Sequence, residues 1–387
     1  MFAQRTNWNL ARNRLSEALE RYRAAGKPLL DLTASNPTEC GFVYDQPAIL
    51  EALRDSGSLR YEPVPRGLAS AREAVAEYCA QHGSRVSLDD IFLTTSTSEA
   101  YSYIFRLLCN PGDEILIPAP SYPLFDFLAD LHDVKLVRYR LLYDHGWLVD
   151  FHALEKAVTS RTRAIIVVHP NNPTGHFAKS AETSKLNELC ADRGLAIIAD
   201  EVFLDFSLGS EPPSSFAGNA EVLTFTMSGL SKISGLPQMK VAWLAVSGPQ
   251  SQKGEGLKRL EVIADTYLSM NAPVQHAIPT FLAQRGAFQE QLMTRVRGNL
   301  AELDRQLAQH KVCSRLHVEG GWYAILRVPA TRSDEDLALS LLTDCGIYSH
   351  PGHFFDFALD GYLVLSLIVK EAELSEGVAR LLALSSH

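Results

Sequence analysis

The stretch VLTFTMSGLSKISGLPQMKVAWLAVS, Val222 to Ser247, begins and ends in apolar runs and carries Lys232 in a middle of glycine, serine and leucine. The flanking runs, VLTFTMS (222–228) and VAWLAVS (241–247), are short and rich in β-branched and aromatic residues, as strands buried on both faces should be. Four more runs of this kind precede them: IFLTT (91–95), EILIPAP (114–120), AIIVVHP (164–170) and LAIIAD (195–200). Between them lie helical candidates, among them SEAYSYIFRLLCN (98–110) and SAETSKLNELCADRG (180–194), the second closing on a glycine. The alternation predicts an α/β fold: a large, doubly wound, mostly parallel sheet with helices on both faces.

The last hundred residues follow another pattern. A helix is expected over about 289–309, then WYAILRV (322–328), a helix at SDEDLALSLLTDCG (333–346), GYLVLSLIV (361–369) and a final EAELSEGVARLLALSS (371–386). The first forty residues add one helix and an extended segment, PLLDLTASNPTECGF (28–42). We therefore expect a large domain over 46–280 and a smaller α+β domain built from 1–45 and 281–387.

Composition narrows the function. With 46% hydrophobic and 21% charged residues the chain reads as an ordinary globular protein, and a net charge of −9 without a Lys/Arg-rich run argues against nucleic acid as a partner. No stretch approaches the roughly eighteen apolar residues of a membrane span, and the N-terminus lacks the apolar core of a secretion signal. A cytoplasmic protein with no membrane partner is the expectation. The six cysteines show no CxxC pair and no histidine at ligand spacing, so no metal site is expected.

In open α/β sheets ligands bind beyond the carboxyl ends of the strands, and the residues there form an uncommon set. After IFLTT come Thr97 and Ser98, opening a helix whose free N–H groups suit a phosphate. After AIIVVHP comes Asn172, in NNPTG; LAIIAD ends on Asp200; VLTFTMS leads to Lys232. Taken singly, these are helix caps and turn residues. Together, a lysine, an aspartate, an amide and a phosphate-ready helix start match pyridoxal phosphate, which needs a Schiff-base lysine and an acid at its ring nitrogen.

Four segments, NPGDEILIPAPSYPLF (110–125), HPNNPTG (169–175), ADEVF (199–203) and SGLSKISGLPQMKVAW (228–243), resemble in order and spacing the signatures of the fold-type I, class I and II aminotransferases. The resemblance implies Lys232 as Schiff-base lysine, Asp200 at the pyridine nitrogen, Asn172 at the phenolic oxygen and Tyr122 stacked on the ring. It implies Thr97, Ser98, Ser231 and Lys240 around the phosphate, with Tyr61 reaching that phosphate from the second subunit of a homodimer. Ser35 and Asn36 match a segment on the substrate side. The implied activity is transamination between an amino acid and a keto acid, through a lysine-bound pyridoxal 5'-phosphate. A C–S β-lyase or decarboxylase is the alternative on the same scaffold. A cofactor-sensing regulator fits less well, because the enzyme-like region starts almost at once.

Four residues depart from the family pattern. Lys240 stands where an arginine is frequent, Gly229 where a serine or threonine precedes the lysine, Phe203 where a tyrosine is usual, and Val364 at the substrate-carboxylate arginine. If another residue holds the carboxylate, the candidates are Arg66, Arg327, His350 and His353, with His353 favoured because HPGHFF (350–355) resembles an active-site loop. Donor and acceptor are not legible in these residues.

Overall fold

The computed structural model describes residues 1–387 except Leu124, Glu211, Pro212, Ser269, Ser386 and His387, and the side chain of Ser385. All six apolar runs are strands: Ile91–Thr94, Glu114–Ala119, Thr162–Val168, Ala196–Asp200, Thr224–Gly229 and Ala242–Ser247. Alternate residues feed different cores. Ile115, Ile117, Ile166 and Ile198 join one cluster, and Leu116, Ile165, Val167 and Ile197 another. Burial of both faces is why these runs show no polar alternation.

Two strands that the apolar pattern does not reveal, Lys135–Tyr143 and Trp147–Val149, complete an eight-stranded sheet. From one edge its order is Ile91–Thr94, Ala242–Ser247, Thr224–Gly229, Ala196–Asp200, Thr162–Val168, Glu114–Ala119, Lys135–Tyr143 and Trp147–Val149. The central strands are parallel; Ala242–Ser247 runs against both its neighbours. Since two reversals restore direction, Ile91–Thr94 points the same way as Thr224–Gly229. Thr94, Ala242 and Gly229 therefore lie in one row at the sheet edge, with Asp200 beside Val168 at the end of the next pair. Glu114–Ala119 runs parallel to Thr162–Val168, so the carboxyl ends of five strands and the start of a sixth open on one rim.

The helix Thr97–Leu108 buries Tyr101, Ile104 and Phe105 against the sheet. The helix Ser180–Arg193 ends as expected at Gly194, whose φ of 66° is the left-handed conformation a helix stop uses. Two further helices, Gln250–Tyr267 and Ala272–Ala283, carry no clear mark in the sequence pattern. Beyond them, the helices Arg285–Leu307, Asp334–Cys345 and Glu371–Ser385 cover a four-stranded antiparallel sheet, in the order Ser314–Arg315, Tyr323–Arg327, Tyr362–Ser366, His350–Pro351. The first of these helices begins and ends earlier than the expected 289–309, and Ser386 of the expected final helix lies outside the described residues. The N-terminal segment joins this unit: Leu30–Asp31 pairs in parallel with Ile347–Tyr348, and Leu32 is buried in its core.

Phe203 and Phe206, from the loop after Asp200, pack into that second core against Trp322. The rim of the large sheet and the small sheet are tied together at this point. Among the described residues no helix is long and apolar enough to cross a membrane.

The row Thr94–Ala242–Gly229 explains one departure. A Cβ at Gly229 would meet the Val241 carbonyl oxygen at 2.7 Å and the Ala242 Cβ at 2.9 Å, so a side chain there pushes the two strands apart. Gly229→Ala should lower stability by about 1–3 kcal/mol in urea unfolding, the range for overpacking a closed site. A neutral result would mean the strands separate freely at this row.

Candidate active site

The strand Thr224–Gly229 turns straight into the short helix Leu230–Ile233, which carries Ser231 and Lys232 to the rim. The Lys232 amine lies 5.0 Å from the centre of the Trp322 ring and 5.7 Å from that of Phe203. Aromatic faces attract a cation weakly and accept no full hydrogen bond from it. Among the described residues no carboxylate or hydroxyl bonds this amine. Desolvation pushes it down from 10.5 to about 8, against the opposing pull of the Asp200 charge.

Asp200 ends its strand 8% exposed. Burial raises its carboxyl from 3.8 to about 6; the Val202 N–H, the Tyr101 hydroxyl and the charge of Lys232 work the other way. The N–H donates at 3.3 Å and the hydroxyl at 3.1 Å. Next to it Glu201, also buried, accepts from the Phe216 N–H and the Ser215 hydroxyl, and burial lifts it to about 7.

Asn172 follows the strand Thr162–Val168 and is 8% exposed, with Oδ1 buried and unpartnered among the described residues. A buried amide oxygen without a partner is rare in a finished core and belongs where a ligand completes it. Tyr122, after the strand Glu114–Ala119, keeps 41% of its surface open, its ring edge-on to Phe125 at 6.5 Å. Burial, and then the Asp200 charge, raise its phenol, so ring and carboxylate share one space.

Thr97 and Ser98 are the first two residues of a twelve-residue helix capped by Ser96, whose hydroxyl accepts from the Glu99 N–H at 3.2 Å. Lys240 stands two residues before Ala242, hence beside the Thr94–Ala242–Gly229 row, exposed and with a φ of 54°. A non-glycine residue in the left-handed region costs on the order of 1 kcal/mol, a strain that clusters at binding sites. Thr97, Ser98, Ser231, Lys232 and Lys240 therefore gather at neighbouring strand ends.

The remaining expected residues are placed less uniformly. Ser35 lies near the Tyr323 phenol, which burial raises and which also senses Tyr122. Asn36 is occupied as a cap, its Oδ1 accepting from the Thr38 N–H and hydroxyl. Tyr61 is 78% exposed, in a hollow with Gly57, Met270 and His276, and among the described residues no bond or ring contact joins it to the other site residues. His353 is exposed on the turn Gly352–Phe355, which is tied to the Tyr122 loop by the Ser121 N–H donating to the Phe355 carbonyl at 2.9 Å.

Val364 is 1% exposed, paired across strands with Ile325 and His350 and packed among Phe355 and Val167. Of the other carboxylate candidates, Arg66 is committed to Glu261 at 2.8 Å and to the Asp89 carbonyl, Arg327 is exposed, and burial lowers His350. Three groups escaped the sequence reading: Tyr101, Trp322 and Tyr323. Tyr101 had one usable signal, a phenol on the buried face of a helix, which needs a hydrogen-bond partner.

The family described as "Aminotransferase class I and II" matches residues 27–381. The chain is 32% identical over 270 residues to the glutamate-pyruvate aminotransferase AlaA of Escherichia coli, a match covering 69% of this chain and 66% of that protein. It is 28% identical over 373 residues to the alanine aminotransferase of Mycobacterium tuberculosis, covering 93% and 86%. In structure it is similar to the alanine aminotransferase of Pyrococcus furiosus, with a TM-score of 0.90, 22% identity and full coverage of both chains.

The environment of Lys232 is directly measurable. In cofactor-free protein, its modification by a small amine reagent, followed by peptide mass mapping, should reach half its maximal rate near pH 8, because only the neutral amine reacts. Asp200→Asn removes a charge that favours the ammonium, so the midpoint should fall further. A midpoint at the ordinary lysine value of 10.5 would contradict the desolvated site.

Proposed function

This chain belongs to the class I and II aminotransferase family, and from that premise we propose that it transfers an amino group between an amino acid and a keto acid, using pyridoxal 5'-phosphate. The observation that carries the proposal is the unpaired, desolvated amine of Lys232 sharing a rim with the buried Asp200 carboxylate. A structural lysine would be paired or solvated; this one is left available.

The residues present fit the cofactor. Asn172 carries an uncommitted side-chain amide whose N–H would donate to the phenolic oxygen, Tyr122 offers an open ring face, and Thr97, Ser98, Ser231 and Lys240 supply helix N–H groups, hydroxyls and a cation for a phosphate. Asp200 would face the ring nitrogen. When bound, the group supplies a carbonyl that condenses with amines and a cationic ring that takes up the electron pair left on the substrate α-carbon.

The chain's own residues do the rest. Lys232, with its amine near pKa 8, is partly neutral at physiological pH and can act first as nucleophile and then as the base that removes and returns a proton at the substrate α-carbon. Asp200, favoured in its ionised form by the Val202 N–H and the Tyr101 hydroxyl, would hold a ring nitrogen positive through its charge. Trp322 and Phe203 keep water away from the amine while leaving it unbonded. Ser35 and the substrate-side turn with His353 would border the substrate. We further propose that Tyr61, exposed in a single chain, serves the phosphate of a second subunit in a homodimer. The names of the relatives, alanine and glutamate-pyruvate aminotransferases, support transamination over the lyase and decarboxylase readings.

Lys232→Ala should abolish both the visible band of the cofactor-loaded protein and turnover; retention of both would overturn the proposal. Phe203→Tyr adds a donor near the amine, and should lower the pH midpoint of that visible band by about one unit, roughly the effect of one hydrogen bond to a charged group. An unchanged or raised midpoint would show that the missing hydroxyl does not reach the cofactor. With Val364 in apolar packing, alanine should discharge the band less than about tenfold faster than ethylamine, whereas a two-pronged arginine grip would give about a hundredfold. A hundredfold preference would mean that another cation holds the carboxylate.

A further inference from the structure

We infer that Tyr101 is a positioning residue: its hydroxyl donates to Asp200 and ties that carboxylate to the helix whose first turn would take the phosphate. The inference rests on the function proposed above, since it gives Tyr101 a role only through Asp200.

The geometry is specific. Tyr101 is 2% exposed, and its hydroxyl lies 3.1 Å from Asp200 Oδ2, a contact buried at both ends. Its ring is wedged edge-on against Phe125 at 5.3 Å and tilted against Phe105 at 5.8 Å, so the hydroxyl has little freedom to leave. A buried phenol must find a partner, but nothing requires that partner to be the one carboxylate at the end of a central strand.

Position in the helix adds the second half of the argument. Tyr101 follows Thr97 by four residues in Thr97–Leu108, so the two stand on the same face, about one turn and 6 Å apart along the axis. One rigid turn therefore sets the distance between the phosphate turn and the acid opposite the ring nitrogen. A helix that moved as the phosphate turn filled would carry the Asp200 hydrogen bond with it.

Asp200 is faced by Lys232 from the short helix, by Tyr122 from the turn after Glu114–Ala119, and by its neighbour Glu201. Lys232 stabilises the anion by charge, Glu201 opposes it, and Tyr101 gives it a side-chain hydrogen bond. For a carboxyl that burial drives toward neutrality, a donor to the charged form keeps it able to pair with a cationic ring.

The test measures binding of pyridoxal 5'-phosphate to cofactor-free protein as a function of pH, by equilibrium dialysis, alongside the thermal midpoint of the unloaded protein. Tyr101→Phe keeps the ring in its wedge and removes the donor. It should move the pH at which affinity falls off upward by about one unit and weaken binding near neutrality several-fold, with little change in the thermal midpoint. In an Asp200→Asn background the same substitution should change nothing, since the partner is already gone. An unmoved pH midpoint, or an effect that persists in that background, overturns the inference while leaving the proposed function standing. If Asp200→Asn alone leaves affinity and pH profile as they were, the functional reading fails as well. Should the phenylalanine variant not fold, 3-fluorotyrosine placed at position 101, a stronger donor, should move the midpoint downward; an unmoved midpoint there is equally contrary.

Discussion

Asp200 and Lys232 sense each other's charge at the rim of the large sheet without a hydrogen bond between them. Burial lifts the carboxyl to about 6 and lowers the amine to about 8, and each charge opposes the other's shift. Two desolvated, unjoined charges cost several kcal/mol, so they persist only where a well-packed scaffold holds them. That scaffold is the parallel sheet, whose strands bury both faces and bring six strand termini to one rim. The aromatic pair Phe203 and Trp322 belongs to the second core, so the wall around the amine comes from packing between the two units.

Much of this was legible in the sequence because it depends on local pattern. All six apolar runs are strands, and Lys232, Asp200, Asn172, Tyr122 and Thr97 follow their strands to one rim. The strand Lys135–Tyr143 was not legible: its residues alternate between buried and exposed and include Lys135, Arg138 and Arg140, so it lacks a continuous apolar run. The helices at 250–283 escaped for a similar reason, with glycines at 254 and 256 in one and Pro279 in the other. The antiparallel direction of Ala242–Ser247 could not be read at all, since a buried strand looks the same in either sense. Yet that reversal is what sets Lys240 beside the Thr94–Ala242–Gly229 row. Tyr101 and Trp322 read as core aromatics, because their contacts with Asp200 and Lys232 are made across long sequence distances.

The residues proposed to border the substrate differ in kind from those proposed to hold the cofactor. Val364 is sealed among apolar groups, Arg66 is spent on Glu261, and His350 is biased toward its neutral form by burial. A carboxylate arriving here would find the hydroxyls of Ser35 and Tyr323 and the exposed turn of His353, none of them a two-pronged cation. The departures at Gly229 and Phe203 also have physical settings: the first is a close approach of two strands, the second an edge-on contact with Trp322 at 4.8 Å. The family membership rests on the match across residues 27–381, and none of these departures alters it.

The most direct measurement is chemical. Protein loaded with pyridoxal 5'-phosphate should be reduced with borohydride, digested and mapped by mass spectrometry, which records the lysine that carried the cofactor. The account predicts the pyridoxyl group on Lys232, and its loss in Asp200→Asn protein loaded at the same cofactor concentration. Label on another lysine, or none on Lys232 under saturating cofactor, would contradict it.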